Sequence, residues 1–105
     1  MSRLLLLLPG DGIGPEVTAE SRRILDRLAL PGLEVAEALF GGASLDARDT
    51  PLADEVLEAA LASTAVLMGA VGGPQWASAA YDKRPEAGLL RLREAMQVYA
   101  NLRLA

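Results

Sequence analysis

The order of apolar runs predicts an α/β fold, β-α-β-α-β-loop-α-β, in which helices pack on a partial parallel or mixed sheet. Three observations carry this. Short apolar runs at residues 4–8, 33–40 and 65–70 alternate with stretches of helical period. Glycine-rich breaks follow the first and third runs directly. Proline followed by glutamate, Pro15-Glu16 and Pro85-Glu86, opens two of the helical stretches, where a missing N–H costs nothing and an acid suits the positive end.

Residues 4–8 are five consecutive leucines, too short for the apolar core of a signal peptide or a membrane span. They read as a strand buried on both faces, with the Pro9–Gly14 turn at its end. A cytoplasmic location is the default expectation. Residues 15–29 read as the first helix, with Val17, Ser21, Ile24, Leu25 and Leu28 as its inner stripe and Leu30-Pro31-Gly32 as its stop. A second strand is expected over 33–40, broken by Gly41-Gly42, and a loop over 43–49. The second helix is expected to start at Thr50-Pro51, with Asp54 and Glu55 in its first turn and Leu52, Val56, Leu57 and Ala60 facing inward. The third strand, 65–70, runs into Gly72-Gly73-Pro74, and a loop around Trp76 and Tyr81 leads to the third helix, 85 to about 98. Residues 99–103 read as the start of a fourth strand, so the chain is expected to be one domain, 1–105, incomplete at its C-terminus.

Composition narrows the chemistry. Net charge is -4, from 10 basic and 14 acidic residues, so no basic field is available for a nucleic-acid backbone. With no cysteine there is no thiolate or zinc–sulfur chemistry, and with no histidine the usual base near neutral pH is absent. Reactive roles fall to carboxylates, Arg, Lys, Tyr, Ser and Thr, or to an added metal or cofactor.

The two glycine-rich turns should open on one sheet edge, where α/β folds place ligands. The first, Gly10-x-Gly12-x-Gly14, is not the dinucleotide fingerprint, which needs its third glycine one place later. It is either an anion-binding turn or simply a tight βα connection. Asp11 is expected to satisfy turn N–H groups rather than hold a metal, and Asp46 and Asp49 do not complete a metal site. On the third helix Leu89, Leu92 and Met96 form a core stripe. Glu86, Leu89, Leu90 and Arg93 form a second, ending in a guanidinium beside apolar neighbours. Such a face suits a carboxylate with an alkyl group, although an arginine paired with a surface acid is the plainer reading. On the expected fourth strand, Arg103 shares a face with Tyr99 and Asn101.

Taken together, five segments resemble the isocitrate/isopropylmalate dehydrogenase family, on its isopropylmalate side. They are Leu8-Pro9-Gly10-Asp11-Gly12-Ile13-Gly14-Pro15-Glu16-Val17, Phe40-Gly41-Gly42-Ala43, Gly72-Gly73-Pro74-Gln75-Trp76, Arg84-Pro85-Glu86-Ala87-Gly88-Leu89-Leu90-Arg91-Leu92-Arg93 and Ala100-Asn101-Leu102-Arg103. The resemblance covers nearly the whole chain but only the first third or so of a typical member.

It implies NAD-dependent oxidative decarboxylation of 3-isopropylmalate in leucine biosynthesis, assisted by Mg²⁺ or Mn²⁺. By matching position, Arg93 and Arg103 bind substrate carboxylates, and Leu89, Leu90 and Glu86 face the isopropyl group and the cofactor. Gly73, Pro74, Trp76, Arg84, Pro85 and Glu86 belong to the cofactor side, and Ile13 lines the same cleft. Isocitrate-using relatives carry Ser and Asn where this chain has Ala87 and Leu89, so its pocket suits an alkyl group and leaves a third carboxylate unpaired. Ala77 and Leu104 depart from the family's usual Asp and Pro. The family's catalytic Tyr and Lys, its metal-binding Asp residues, a third substrate Arg and the loop choosing NAD over NADP have no counterpart here. The resemblance therefore implies a chain inactive by itself, a small 2-hydroxy dicarboxylate as partner and a homodimer for the complete enzyme, with no nucleic acid or membrane partner. A non-catalytic binding or regulatory module and a tartrate- or homoisocitrate-type relative are the alternatives.

Overall fold

The computed structural model describes residues 3–104. Three strands, β1 (Arg3–Gly10), β2 (Leu33–Glu37) and β3 (Ala65–Ala70), form one wholly parallel sheet in the order β2-β1-β3. Parallel pairing requires crossovers, and helices supply them: α1 (Gly14–Leu28) between β1 and β2, then α2 (Gly42–Arg48) and α3 (Asp54–Ala62) between β2 and β3. The helix α4 (Pro85–Ala95) follows a long connection containing two 3₁₀ turns, Pro74–Trp76 and Tyr81–Lys83. The expected α/β class is therefore found, with a parallel rather than a mixed sheet.

The leucine run is the central strand, buried on both faces as expected. Leu6 and Leu8 join Phe40, Leu52, Ala53, Val56, Ala60 and Leu92 in the core, with Leu89 and Met96 packed against it. Leu7, pointing the other way, is equally buried on the side covered by α1. A leucine run works here because neighbours on both edges satisfy its backbone and both faces are dry.

Several expectations about the elements are corrected. The residues of α1 fully buried against the sheet are Gly14 and Thr18, whereas Val17, Ile24 and Leu28 of the expected inner stripe are exposed, Ile24 by 62% and Leu28 by 58%. The cause is a close approach. A Cβ on Gly14 would lie 2.0 Å from the Pro9 carbonyl oxygen, and one on Gly69 would lie 2.3 Å from that oxygen and 2.7 Å from Thr18 Oγ1. Only small residues fit this helix–sheet contact, so size overrides hydrophobicity in choosing the inner face. Residues 43–49, expected as loop, fall within the short helix α2. The second expected helix begins at Asp54, not at Thr50-Pro51, because Ala53 is still extended at its N-cap. Leu52, Val56 and Ala60 are nonetheless buried as expected. The third expected helix ends at Ala95 rather than Val98, where Gln97 turns left-handed at φ 57°. Residues 99–103 form no strand: they pair with nothing among the described residues, and Tyr99 and Leu102 are 99% and 93% exposed.

Candidate active-site cleft

Because the strands are parallel, the turns after β1 and β3 emerge side by side, as their composition predicted. The Asp11 N–H donates to the Ala70 carbonyl at 2.7 Å and the Gly14 N–H to the Asp11 carbonyl at 2.8 Å. The Asp11 side chain, 7% exposed, does more than satisfy its own turn. Its Oδ2 accepts from the N–H groups of Gly42 at 2.7 Å and Gly72 at 3.0 Å, and its Oδ1 from the N–H of Ala43 at 2.7 Å. One carboxylate thus joins the β1–α1 turn, the start of α2 and the loop after β3.

That loop builds a cleft. Gly72, at φ 101°, turns the chain away from the sheet, and Gly73 enters the first 3₁₀ turn. The half-buried Trp76 ring lies flat against the start of α2: a Cβ on Gly42 would stand 1.9 Å from Trp76 Cη2. Gly73, Trp76, Ala77, Tyr81, Arg84, Glu86 and Ala87 enclose a space of about 340 Å³. Arg84 caps α4 and donates from Nε to the Ala79 carbonyl at 2.9 Å, which folds the loop back on itself. Lys83 pins the same loop to the end of α2 through Asp49, from Nζ to the carbonyl at 2.6 Å and to Oδ2 at 3.1 Å. Glu86, exposed in the first turn of α4, stands over Gly72, where its Oε1 would be 2.6 Å from an added Cβ.

Of the residues expected on the cofactor side, Gly73, Trp76, Arg84 and Glu86 line this one cleft, and Pro74 and Pro85 adjoin it in sequence. Ile13 is exposed at the start of α1, on the same sheet edge but outside the walls of this cleft. Leu90 and Arg93 are exposed on α4, whereas Leu89 turns toward the core. Arg103 is exposed on the unpaired tail, so its expected alternation with Tyr99 and Asn101 on a strand face does not exist. Arg91, not singled out from sequence, donates to the Leu52 carbonyl at 2.8 Å and pairs with Asp54 at 2.7 Å, fastening α4 to α3. Sequence reading also missed Gly42 as the seat of Trp76 and Asp11 as a bridge between loops. The available signals were an acid between two glycines at a strand end and a glycine pair before a helix.

No group of three acidic side chains close enough to hold a metal occurs among the described residues. Nor is any helix among them long and apolar enough to cross a membrane.

A sequence model of the isocitrate/isopropylmalate dehydrogenase family matches residues 4–105. The chain is similar to the 3-isopropylmalate dehydrogenase of Caulobacter vibrioides, at 68% identity over 96% of the chain and 29% of that protein. It is 57% identical to the enzyme of that name from Brucella suis over 99% of the chain and 29% of the relative, and 53% identical to the one from Rhodospirillum rubrum over 100% and 30%. Among solved structures it resembles the apo form of a β-decarboxylating dehydrogenase from Thermococcus kodakarensis. The TM-score is 0.72 and the identity 28%, over 90% of this chain and 27% of that one. The chain thus spans under a third of the length of these relatives.

Proposed function

The chain belongs to the isocitrate/isopropylmalate dehydrogenase family, and from that premise we propose that it carries the cofactor-side cleft and part of the substrate-binding surface of an NAD-dependent 3-isopropylmalate dehydrogenase. The observation that supports this most directly is the meeting of Gly73, Trp76, Arg84 and Glu86 around one cleft at the carboxyl edge of a parallel sheet. At about 340 Å³ the cleft is at the small end of ligand pockets, which run from about 300 to 1,000 Å³, and suits one part of a dinucleotide rather than the whole. Its residues fit such a group. Trp76 offers an aromatic wall, Arg84 a cation, Glu86 an acceptor for hydroxyl or amide groups, and Gly73 lets backbone approach a ligand closely. A bound nicotinamide would supply hydride acceptance, and Trp76, Arg84 and Glu86 would hold and orient the part of the cofactor that enters the cleft.

Arg93 and Arg103 are the proposed substrate carboxylate ligands. Both are exposed, and a guanidinium can bind each carboxylate through two parallel hydrogen bonds. Ala87 lines the cleft and exposed Leu90 lies on the same helix, and together they offer an apolar surface to a substrate's side arm. That favours an isopropyl group over a third carboxylate, which would be desolvated without a partner.

A chimera tests the reading. Residues 1–105 are joined to the remainder of the Caulobacter relative, which supplies the rest of a complete dehydrogenase. The chimera is expected to reduce NAD with 3-isopropylmalate and to leave isocitrate untouched. A folded chimera that is inactive, or that prefers isocitrate, overturns the proposal. The 105-residue chain assayed alone is expected to form no NADH with 3-isopropylmalate, and turnover there would refute the assignment of the reacting groups to other segments.

A further inference from the structure

We propose that Asp11 is a positioning residue whose buried carboxylate, by accepting the backbone N–H groups of Gly42, Ala43 and Gly72, holds two loops together and so sets the shape of the cleft walled by Gly73 and Trp76. The three donors lie 31, 32 and 61 residues away in sequence, so this is tertiary fastening, not turn formation. Gly42 and Ala43 begin α2, on which the Trp76 ring rests; Gly72 begins the loop that delivers Trp76. Both sides of the Trp76–Gly42 contact therefore hang from one side chain. The Gly41 backbone passes close beside that side chain. A Cβ on Gly41 would lie 2.7 Å from Oδ2, and the Asp11 backbone is itself tied to Ala70 and Gly14. Ionised carboxylate is the fitting group, because its two oxygens are acceptors only and three donors converge on them.

The division of donors yields a specific signature. Oδ2 serves two amides and Oδ1 serves one. In Asp11→Asn the single remaining oxygen serves the pair, and the new NH₂ group faces the N–H of Ala43, donor against donor. A generic packing role predicts no such asymmetry.

The link from clamp to cofactor rests on the proposed function; the clamp itself does not. The test uses the 105-residue chain and its D11N and D11A variants. Trp76 is its only tryptophan, so its emission reports the loop. In the wild-type chain the Gly42, Ala43 and Gly72 amides are expected to be protected from hydrogen exchange. In D11N protection is lost first at Ala43, and Trp76 emission shifts to the red with greater acrylamide quenching. In D11A all three amides lose protection. Unprotected amides in the wild-type chain overturn the clamp without recourse to any variant, as does a D11N chain with all three still protected and unchanged emission. Titration with NAD of the chimera that carries residues 1–105 addresses the cofactor link. D11N is expected to weaken binding there by about tenfold or more, the scale of one lost hydrogen bond to a charged group. Equal NAD affinity in the chimera and its D11N variant overturns the cofactor part of the proposal. Protected wild-type amides together with a folded chimera indifferent to NAD refute the cofactor reading of the cleft and leave the clamp standing.

Discussion

Replacing Gly42 with alanine sets two effects of opposite sign against each other. Gly42 opens α2 with an ordinary helical backbone, not the left-handed one seen at Gly41, so alanine is conformationally admissible. By helix propensity alone G42A should gain up to about 1 kcal/mol. The new Cβ, however, would stand 1.9, 2.2 and 2.4 Å from Cη2, Cζ2 and Cζ3 of Trp76. To restore ordinary carbon contacts of about 3.5–4.0 Å the indole must retreat by roughly 1.5–2 Å. The ring is half-buried, so undocking it exposes about 100 Å² of the roughly 200 Å² a tryptophan buries when enclosed. At about 25 cal/mol per Å² this costs about 2.5 kcal/mol. The contact wins, and a net loss of about 1.5 kcal/mol is expected, or roughly a tenfold rise in the undocked loop population. Chemical denaturation with Trp76 emission and far-UV circular dichroism read in parallel measures it. A double-mutant cycle isolates the cause: on a Trp76→Ala background, read by dichroism alone, G42A should become neutral or stabilising. If G42A is as stable as wild type with unchanged emission, or if it destabilises the Trp76→Ala background equally, the contact does not govern the loop.

The remaining predictions concern single positions. Ser44, wholly buried in α2, has a hydroxyl that finds no hydrogen-bond partner among the described residues, so Ser44→Ala should stabilise by about 1 kcal/mol, seen as a rise of a few degrees in Tm. A lower Tm would reveal a partner for the hydroxyl. Ala29 ends α1 in the left-handed region at φ 46°, where glycine is free of the Cβ penalty. Ala29→Gly should therefore gain up to about 1 kcal/mol in denaturant melts, and a loss would mean the strain is relieved in solution. In the chimera, Arg93→Lys and Arg103→Lys should each lower kcat/KM for 3-isopropylmalate by about 10- to 100-fold, because a point charge cannot replace a planar two-donor fork. Unchanged kcat/KM would remove that arginine from the substrate site.

How much was legible in the residues depends on whether the controlling interaction is local. Leucines 4–8 and residues 65–70 announce strands because flanking glycine-rich turns bound them, and the second of these spans coincides with β3. Pro15 and Pro85 mark helix starts within a residue, since proline's fixed φ acts on its own backbone. The α2 segment was read as loop because Gly41-Gly42 suggests a break. Its helix is held instead from outside, by Asp11 on its first N–H groups. Residues 99–103 read as the start of a fourth strand, but a strand exists only where another backbone pairs with it, and the described residues give 99–103 none.

By itself the sequence determined the alternating α/β order and the two glycine turns on one sheet edge. These follow from backbone chemistry and from motifs contiguous in the chain. Only the tertiary structure decided which side of α1 faces the sheet, because the close approach at Gly14 and Gly69 admits small side chains and turns Val17, Ile24 and Leu28 outward. It alone decided that Asp11 reaches residues 31 to 61 positions away. The physical reason is common to both: excluded volume and buried hydrogen bonds act between residues distant in sequence, and neither leaves a periodic trace along the chain.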